Sequence, residues 1–189
     1  MNVGYRSTNY WLLDGGAGAL LVDLGWPGTL AQFDAVLRRQ GVEPGQIRCG
    51  LATHYHPDHA GLAEELKGRG MELWIVDLQL ETVPLMRQWM KPADHYVEID
   101  PATSRVITCG QSRDVLGELG ISGEILPTPG HSDDSVSVVL DNGEAFTGDL
   151  SPLELTLPEQ QEAVSESWKS LQRAGAREIF PGHGPRRPV

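Results

Sequence analysis

The chain has 189 residues, 40% of them hydrophobic, and a formal net charge of −11, which supports one well-buried core and leaves little room for a second domain. The negative charge repels polyanions and so weighs against nucleic acid and anionic membrane as partners; no cationic run is longer than Arg186–Arg187, read as a solvated tail. The start, "MNVGYRSTNYW", lacks the basic and apolar blocks of a secretory leader, and no run approaches the roughly eighteen apolar residues of a membrane span, so the expected location is the cytoplasm.

In chain order, "NYWLL" and "ALLVDLG" flank the glycine-rich "DGGAG" and predict a β-hairpin. "PGTLAQFDAVLRRQG" carries Leu30, Phe33, Val36 and Leu37 at helical spacing and stops at Gly41. "IRCGLAT" predicts a short buried strand, "AGLAEELKGRG" a short helix and "MELWIV" the next strand. Residues 77–100 are apolar without a clean period and contain Pro84, which predicts a helical insertion within one domain spanning 1–189. "SRVIT", "GEILPT", "SVSVVLD" and "EAFTGD" predict further strands, the last two joined by a "DNG" turn. "LPEQQEAVSESWKSLQRAG" predicts the last long helix, and "REIFPGHG" a final strand. Cys49 and Cys109 belong to no Cys-x-x-Cys pair and are expected as free thiols.

The six histidines are distributed unevenly. "LATHYHPDHAGL" at residues 51–62 places His54, His56, Asp58 and His59 in the loop at a strand's C-terminal end. Imidazole nitrogens with an added carboxylate are the donor set of a transition-metal site. Three later stretches repeat the pattern: His131 in "PTPGHSDDS", Asp149 in "FTGDL" and His183 in "FPGHG" each follow a β-rich run beside glycine. Glycine permits the tight turns that hold polar side chains where strand ends converge.

In this "HxHxDH" signature, the later lone histidine, the "GD" aspartate and the terminal "GH", the chain resembles the metallo-β-lactamase-fold hydrolases, in order from "VDLG" at 22–25 to His183. The resemblance implies an α/β fold, an αββα four-layer sandwich with metals at one edge of its sheets. It implies two divalent ions, zinc first with iron or manganese as alternatives. His54, His56 and His131 would hold one ion, Asp58, His59 and His183 the other, and Asp149 would bridge them. The implied activity is hydrolysis of a small-molecule ester, thioester or lactone by a hydroxide held between the metals, with Asp58 also moving a proton. Asp23 in "VDLG" is divided evenly between support of the metal loop and ordinary turn chemistry. Thr53, Ser132 and Ser135 are expected to satisfy local backbone, Asp133 and Asp134 to face solvent, and His95 to be structural or exposed.

Departures from better-known relatives narrow the activity. Asp149 stands where β-lactam-cleaving members commonly carry cysteine, and His56 where the flavodiiron relatives carry an acid. The chain has six residues after His183, so the C-terminal glutathione-binding helices of the glyoxalase-II type are not expected, and Pro152 replaces the tyrosine usual in quorum-signal lactonases. Nucleases of the fold carry basic arms that this acidic chain lacks, although a small phosphodiester stays open as substrate. Leu78, Leu80, Val83, Leu85, Met86, Trp89 and Met90 in the insertion either line a groove over the metals or cap the core. Two other classes stand beside the hydrolase: a mononuclear iron oxygenase resembling the persulfide dioxygenases, with iron on His54, His131 and Asp149, and a binding protein without turnover.

Overall fold

The computed structural model describes residues 1–189 as two five-stranded sheets with helices on both outer faces. The chain opens with the hairpin β1 (Trp11–Asp14) and β2 (Ala19–Val22), followed by α1 (Leu30–Gln40), β3 (Ile47–Leu51), the short helices α2 (Pro57–Ala60) and α3 (Ala63–Lys67), and β4 (Glu72–Val76). After a long connection come β5 (Arg105–Ile107), α4 (Ser112–Gly117), the strands β6 (Gly123–Pro127), β7 (Val136–Leu140) and β8 (Glu144–Gly148), then α5 (Gln161–Arg173), β9 (Glu178–Pro181) and β10 (Arg187–Pro188). The first sheet runs β1-β2-β3-β4-β5, parallel except for its opening hairpin. The second runs β10-β9-β8-β7-β6, antiparallel except for the β8/β9 pair.

Side-chain parity along the strands builds the layers, because successive residues of a strand face opposite sides of its sheet. Leu20 and Val22 of β2, and Trp74 and Val76 of β4, enter the core between the sheets, where they meet Val136, Val138, Phe146 and Phe180. Their neighbours Ala19, Leu21, Leu73 and Ile75 point outward onto Phe33, Val36 and Leu37 of α1 and onto Leu62 and Leu66 near α3. On the far side, Val139, Ala145 and Ile179 pack against Val164, Trp168 and Leu171 of α5. The result is helices, sheet, sheet, helix, the αββα order that the resemblance implies.

Locally, the structure gives the type of the helical segment 77–100, adds a helix at 112–117 that carries no sequence reading, and replaces the solvated tail. The 77–100 segment holds no α-helix; it consists of 3₁₀ turns at Asp77–Gln79, Val83–Trp89 and Pro92–Asp94. Pro84 and Pro92 lie in the first turn of their elements, where a missing amide is tolerated, and so mark where these turns start. Val83 and Met86 are buried in the outer core, whereas Leu85 and Trp89 are exposed. Helix α4 has only Val115 and Leu116 as buried apolar residues, too few to display a period. Arg186–Arg187 is not a free tail: Arg187 lies in β10 opposite Ile179, its guanidinium 5.9 Å from the Trp168 ring, and Arg186 lies 5.4 Å from the Phe180 ring.

Gly61 follows α2 with an ordinary right-handed backbone (φ −63°), so its need is space and not conformation. A Cβ there would press on the Pro27 nitrogen and the Pro57 carbonyl, both backbone atoms that cannot rotate away. Gly61→Ala is therefore expected to destabilise by about 1–3 kcal/mol, lowering the melting temperature by roughly 2–4 °C per kcal/mol. Thermal unfolding followed by circular dichroism checks this, and an unchanged melting temperature would contradict the packing described.

Candidate metal centre

Every sequence-predicted site residue lies where a strand ends at one edge of the sandwich. Parallel strand β3 leads into His54, into His56 at the N-cap of α2, and into Asp58 and His59 within that helix. His131 lies in the turn between β6 and β7, Asp149 follows β8, and His183 follows β9. Because β8 and β9 run parallel, both of their ends reach the same edge. Gly182 is what lets them close, since a Cβ there would come within 2.6 Å of both Asp149 Oδ1 and His59 Cε1.

The seven side chains gather into three overlapping groups: His54 with His56 and His131, His54 with His59 and Asp149, and Asp58 with His59 and His183. Within each group the donor atoms all lie within 4.8 Å of one another. His56 Nδ1 is 3.0 Å from His54 Nε2 and 3.0 Å from His131 Nε2. His59 Nε2 lies 3.3 Å from Asp58 Oδ2 and 3.3 Å from Asp149 Oδ1. His183 Nε2 lies 3.1 Å from Asp58 Oδ2 and 3.4 Å from Asp149 Oδ2, and His131 Nε2 is 3.7 Å from the same Asp149 oxygen.

Proton bookkeeping cannot satisfy this cluster. His56 Nδ1 faces two imidazole nitrogens and can share a proton with only one of them. His59 Nε2 and Asp149 Oδ1 are buried and have no hydrogen-bond partner. Buried polar atoms without partners are rare, and lone pairs that converge from nitrogen and carboxylate fit a cation among them.

The opposite ring nitrogens are tied down. Asp23 Oδ2 accepts from His59 Nδ1 at 2.9 Å, while Asp23 Oδ1 accepts from the Thr53 amide and the Thr53 hydroxyl, each at 2.8 Å. Thr53 Oγ1 in turn lies 3.2 Å from His54 Nδ1, and His183 Nδ1 donates to the Ser7 carbonyl at 2.6 Å. Holding Nδ1 in this way leaves Nε2 facing the cluster, as metal-binding histidines require. Asp23 is 1% exposed and adopts a left-handed backbone (φ 67°), so it supports the loop and is more than a turn residue.

Electrostatics separates the two sides of the cluster. Burial, then the neighbouring imidazoles, holds His54 well below the ordinary histidine range. Burial and then His131 lower His56 as well. Burial also acts against charged His59, but the Asp23 charge, the nearby Asp149 carboxylate, the Asp23 hydrogen bond and Asp58 outweigh it and raise that histidine. Burial pushes Asp58 and Asp149 up, and His59 overcomes it in both, so both carboxyls titrate below the usual carboxylate range.

The surroundings hold residues that the sequence reading placed elsewhere or passed over. Asp134, expected in solvent, is 3% exposed, and its Oδ2 accepts from the Tyr55 amide at 2.8 Å, inside the histidine loop. Asp133 is exposed as expected. Gln79, fully buried, donates to the carbonyls of Ala52, Thr53 and Asp134 at 3.1–3.3 Å, which ties the 77–100 segment to both histidine loops. Trp89 stands half exposed with its ring centroid 4.6 Å from that of His56. Ser132 and Ser135 bond each other at 2.8 Å, and His95 is an exposed residue with φ 53°. Cys49 and Cys109 are unpaired thiols.

Comparison with known proteins places this edge in context. A family model described as the metallo-beta-lactamase superfamily matches residues 3–183. The "Beta-lactamase-like protein 2 homolog" of Drosophila melanogaster is 27% identical over 185 residues, covering 95% of this chain and 59% of that protein. The "Atrochrysone carboxyl ACP thioesterase" of Aspergillus fumigatus is 29% identical over 182 residues, covering 95% of this chain and 51% of that protein. This chain thus spans a little over half the length of these relatives. Among solved structures, TTHA1623 in a di-iron-bound form superposes with a TM-score of 0.73 at 23% identity, covering 100% of this chain and 93% of the other, a likeness of fold. No helix of the chain is long and apolar enough to cross a membrane.

The two adjacent acids after His131 give a contrast. Asp134→Ala leaves the buried Tyr55 amide without an acceptor and is expected to cost about 1–3 kcal/mol, whereas Asp133→Ala should stay within roughly 0.5 kcal/mol of the parent. Denaturant unfolding of the two variants checks the difference, and equal effects would contradict the buried placement of Asp134.

Proposed function

Because the chain belongs to the metallo-beta-lactamase superfamily, whose members are mostly metal-dependent hydrolases, we propose that it hydrolyses a small ester, thioester or lactone with two divalent ions, zinc foremost. The observation that carries the reading is the position of Asp149. One of its oxygens faces His59 and the other faces His183 and His131, so a single carboxylate touches both ends of the cluster. In this reading His54, His56 and His131 hold the first ion, Asp58, His59 and His183 the second, and Asp149 lies between them. Bound there, the ions supply positive charge to polarise a substrate oxygen and a water acidified toward neutrality.

The chain's own groups do the rest. Asp58 is held as a carboxylate, and we assign it the acceptance of a proton from the attacking water and its return to the leaving group. Asp23 and the Ser7 carbonyl keep His59 and His183 in the tautomer that turns Nε2 inward. Trp89 offers an apolar wall beside His56, which suits a substrate with an acyl or other apolar portion. The similarity to a carboxyl-ACP thioesterase supports thioesters as the first class to screen. A single iron on His54, His131 and Asp149 would leave the equally close Asp58, His59 and His183 group without an occupant, which ranks the oxygenase reading second.

Metal analysis by inductively coupled plasma mass spectrometry tests the reading. About two zinc ions per chain are expected, falling towards one in His59→Ala; about one iron, unchanged in that variant, would overturn it in favour of oxygen-dependent chemistry. For the wall, Trp89→Ala is expected to raise KM with the melting temperature unchanged. A lowered melting temperature at constant KM would instead make Trp89 a packing residue.

A further inference from the structure

Of the segment that precedes β1, only the Ser7 carbonyl has a role in the reading so far, yet the segment reaches two of the seven donors. Thr8, 2% exposed, donates its hydroxyl to Asp58 Oδ2 at 3.1 Å. That oxygen is the one that faces His59 Nε2 and His183 Nε2. The Thr8 backbone forms an antiparallel bridge with His183, and the Ser7 carbonyl receives His183 Nδ1. Next to it, the Asn9 amide donates to the Gly182 carbonyl at 2.7 Å, and the Asn9 side chain donates to the carbonyls of Pro181 and Gly184, each at 2.9 Å. Three consecutive residues thus register Asp58 against His183, which lie 125 positions apart in the chain. None of these hydrogen bonds involves His54, His56 or His131.

We infer that Thr8 is a positioning residue for the second ion alone, its hydroxyl fixing the Asp58 carboxylate in the orientation that meets His59 and His183. The inference rests on the two-ion reading above. A carboxylate oxygen has two lone-pair directions. With Thr8 occupying one, the other is left for the gap between the two imidazoles, and rotation of Asp58 would strand the buried Thr8 hydroxyl without an acceptor. Hydrogen-bond partners of this kind typically change metal affinity by about 10–100-fold.

The test uses the full chain as wild type, Thr8→Val and Thr8→Ser, stripped with a chelator and titrated with Zn²⁺ against a chromophoric competitor. Valine matches threonine in shape and removes only the hydroxyl, leaving the backbone bridge to His183 in place. The expected result for Thr8→Val is a second ion weakened by about 10–100-fold, a first ion held within about twofold, recovery in Thr8→Ser and an unchanged metal-free melting temperature. Wild-type affinity for both ions in Thr8→Val overturns the inference, and so does equal weakening of both or a fallen metal-free melting temperature that serine fails to restore. Fewer than two ions on the wild-type chain overturns the two-ion reading together with this inference, and the wild-type titration alone identifies that case.

Discussion

The edge of the sandwich depends on a buried carboxylate. Asp23 follows β2, and its two oxygens take three donors: the Thr53 amide and hydroxyl after β3, and His59 Nδ1 in α2. A charge so deeply buried is costly unless each lone pair is used, and here the donors come from the two elements that must meet. The left-handed backbone at Asp23 adds strain for a residue with a side chain. That strain persists because the chain turns there to bring the carboxylate under the histidine loop. Remove the carboxylate and three buried donors lose their acceptor at once, which makes Asp23 the joint between fold and site.

The placement of the donors was legible because the scarce residue types sit beside glycine at the ends of β-rich runs. The positions of β2, β4, β7 and β8 were legible from their short apolar runs bounded by turn residues. What stayed hidden depends on contacts between distant parts of the chain. Asp134 looks like half of a solvated acidic pair until Tyr55, 79 positions earlier, offers its amide. Gln79 and Thr8 carry no motif, since their partners are mostly backbone carbonyls or a carboxylate fifty positions on. Helix α4, and the 3₁₀ type of the helical segment 77–100, were hidden for another reason: each element is shorter than the window over which an apolar period can be seen.

The two sides of the cluster are supported by different parts of the chain. His54 is backed through Thr53, and the loop around Tyr55 is held by Asp134, with Gln79 beneath both; this support comes from β3, the β6–β7 turn and the 77–100 segment. Asp58 and His183 are backed by residues 7–9 before β1. Asp23 touches each side, through Thr53 on one and His59 on the other. Because shared partners are few, a lesion in one support is expected to act on its own donors first, as separated sites generally behave.

This division bears on how substrate and chemistry are coupled. Gln79 lies ten residues before Trp89, and its amide holds the carbonyl of Thr53, next to His54, and that of Asp134, three residues after His131. An apolar group that presses on Trp89 therefore acts on a segment pinned ten residues earlier to the histidine loops. The buried 3₁₀ anchors Val83 and Met86 keep that segment from moving freely. The Trp89 segment and the His54 side of the cluster thus share one connection through Gln79, while the Asp58 side, backed by residues 7–9 ahead of β1, is free of it. On the proposed reading, changes in the Trp89 wall would then alter which substrate is held without disturbing the Asp58 carboxylate, whose partners are Thr8, His59 and His183.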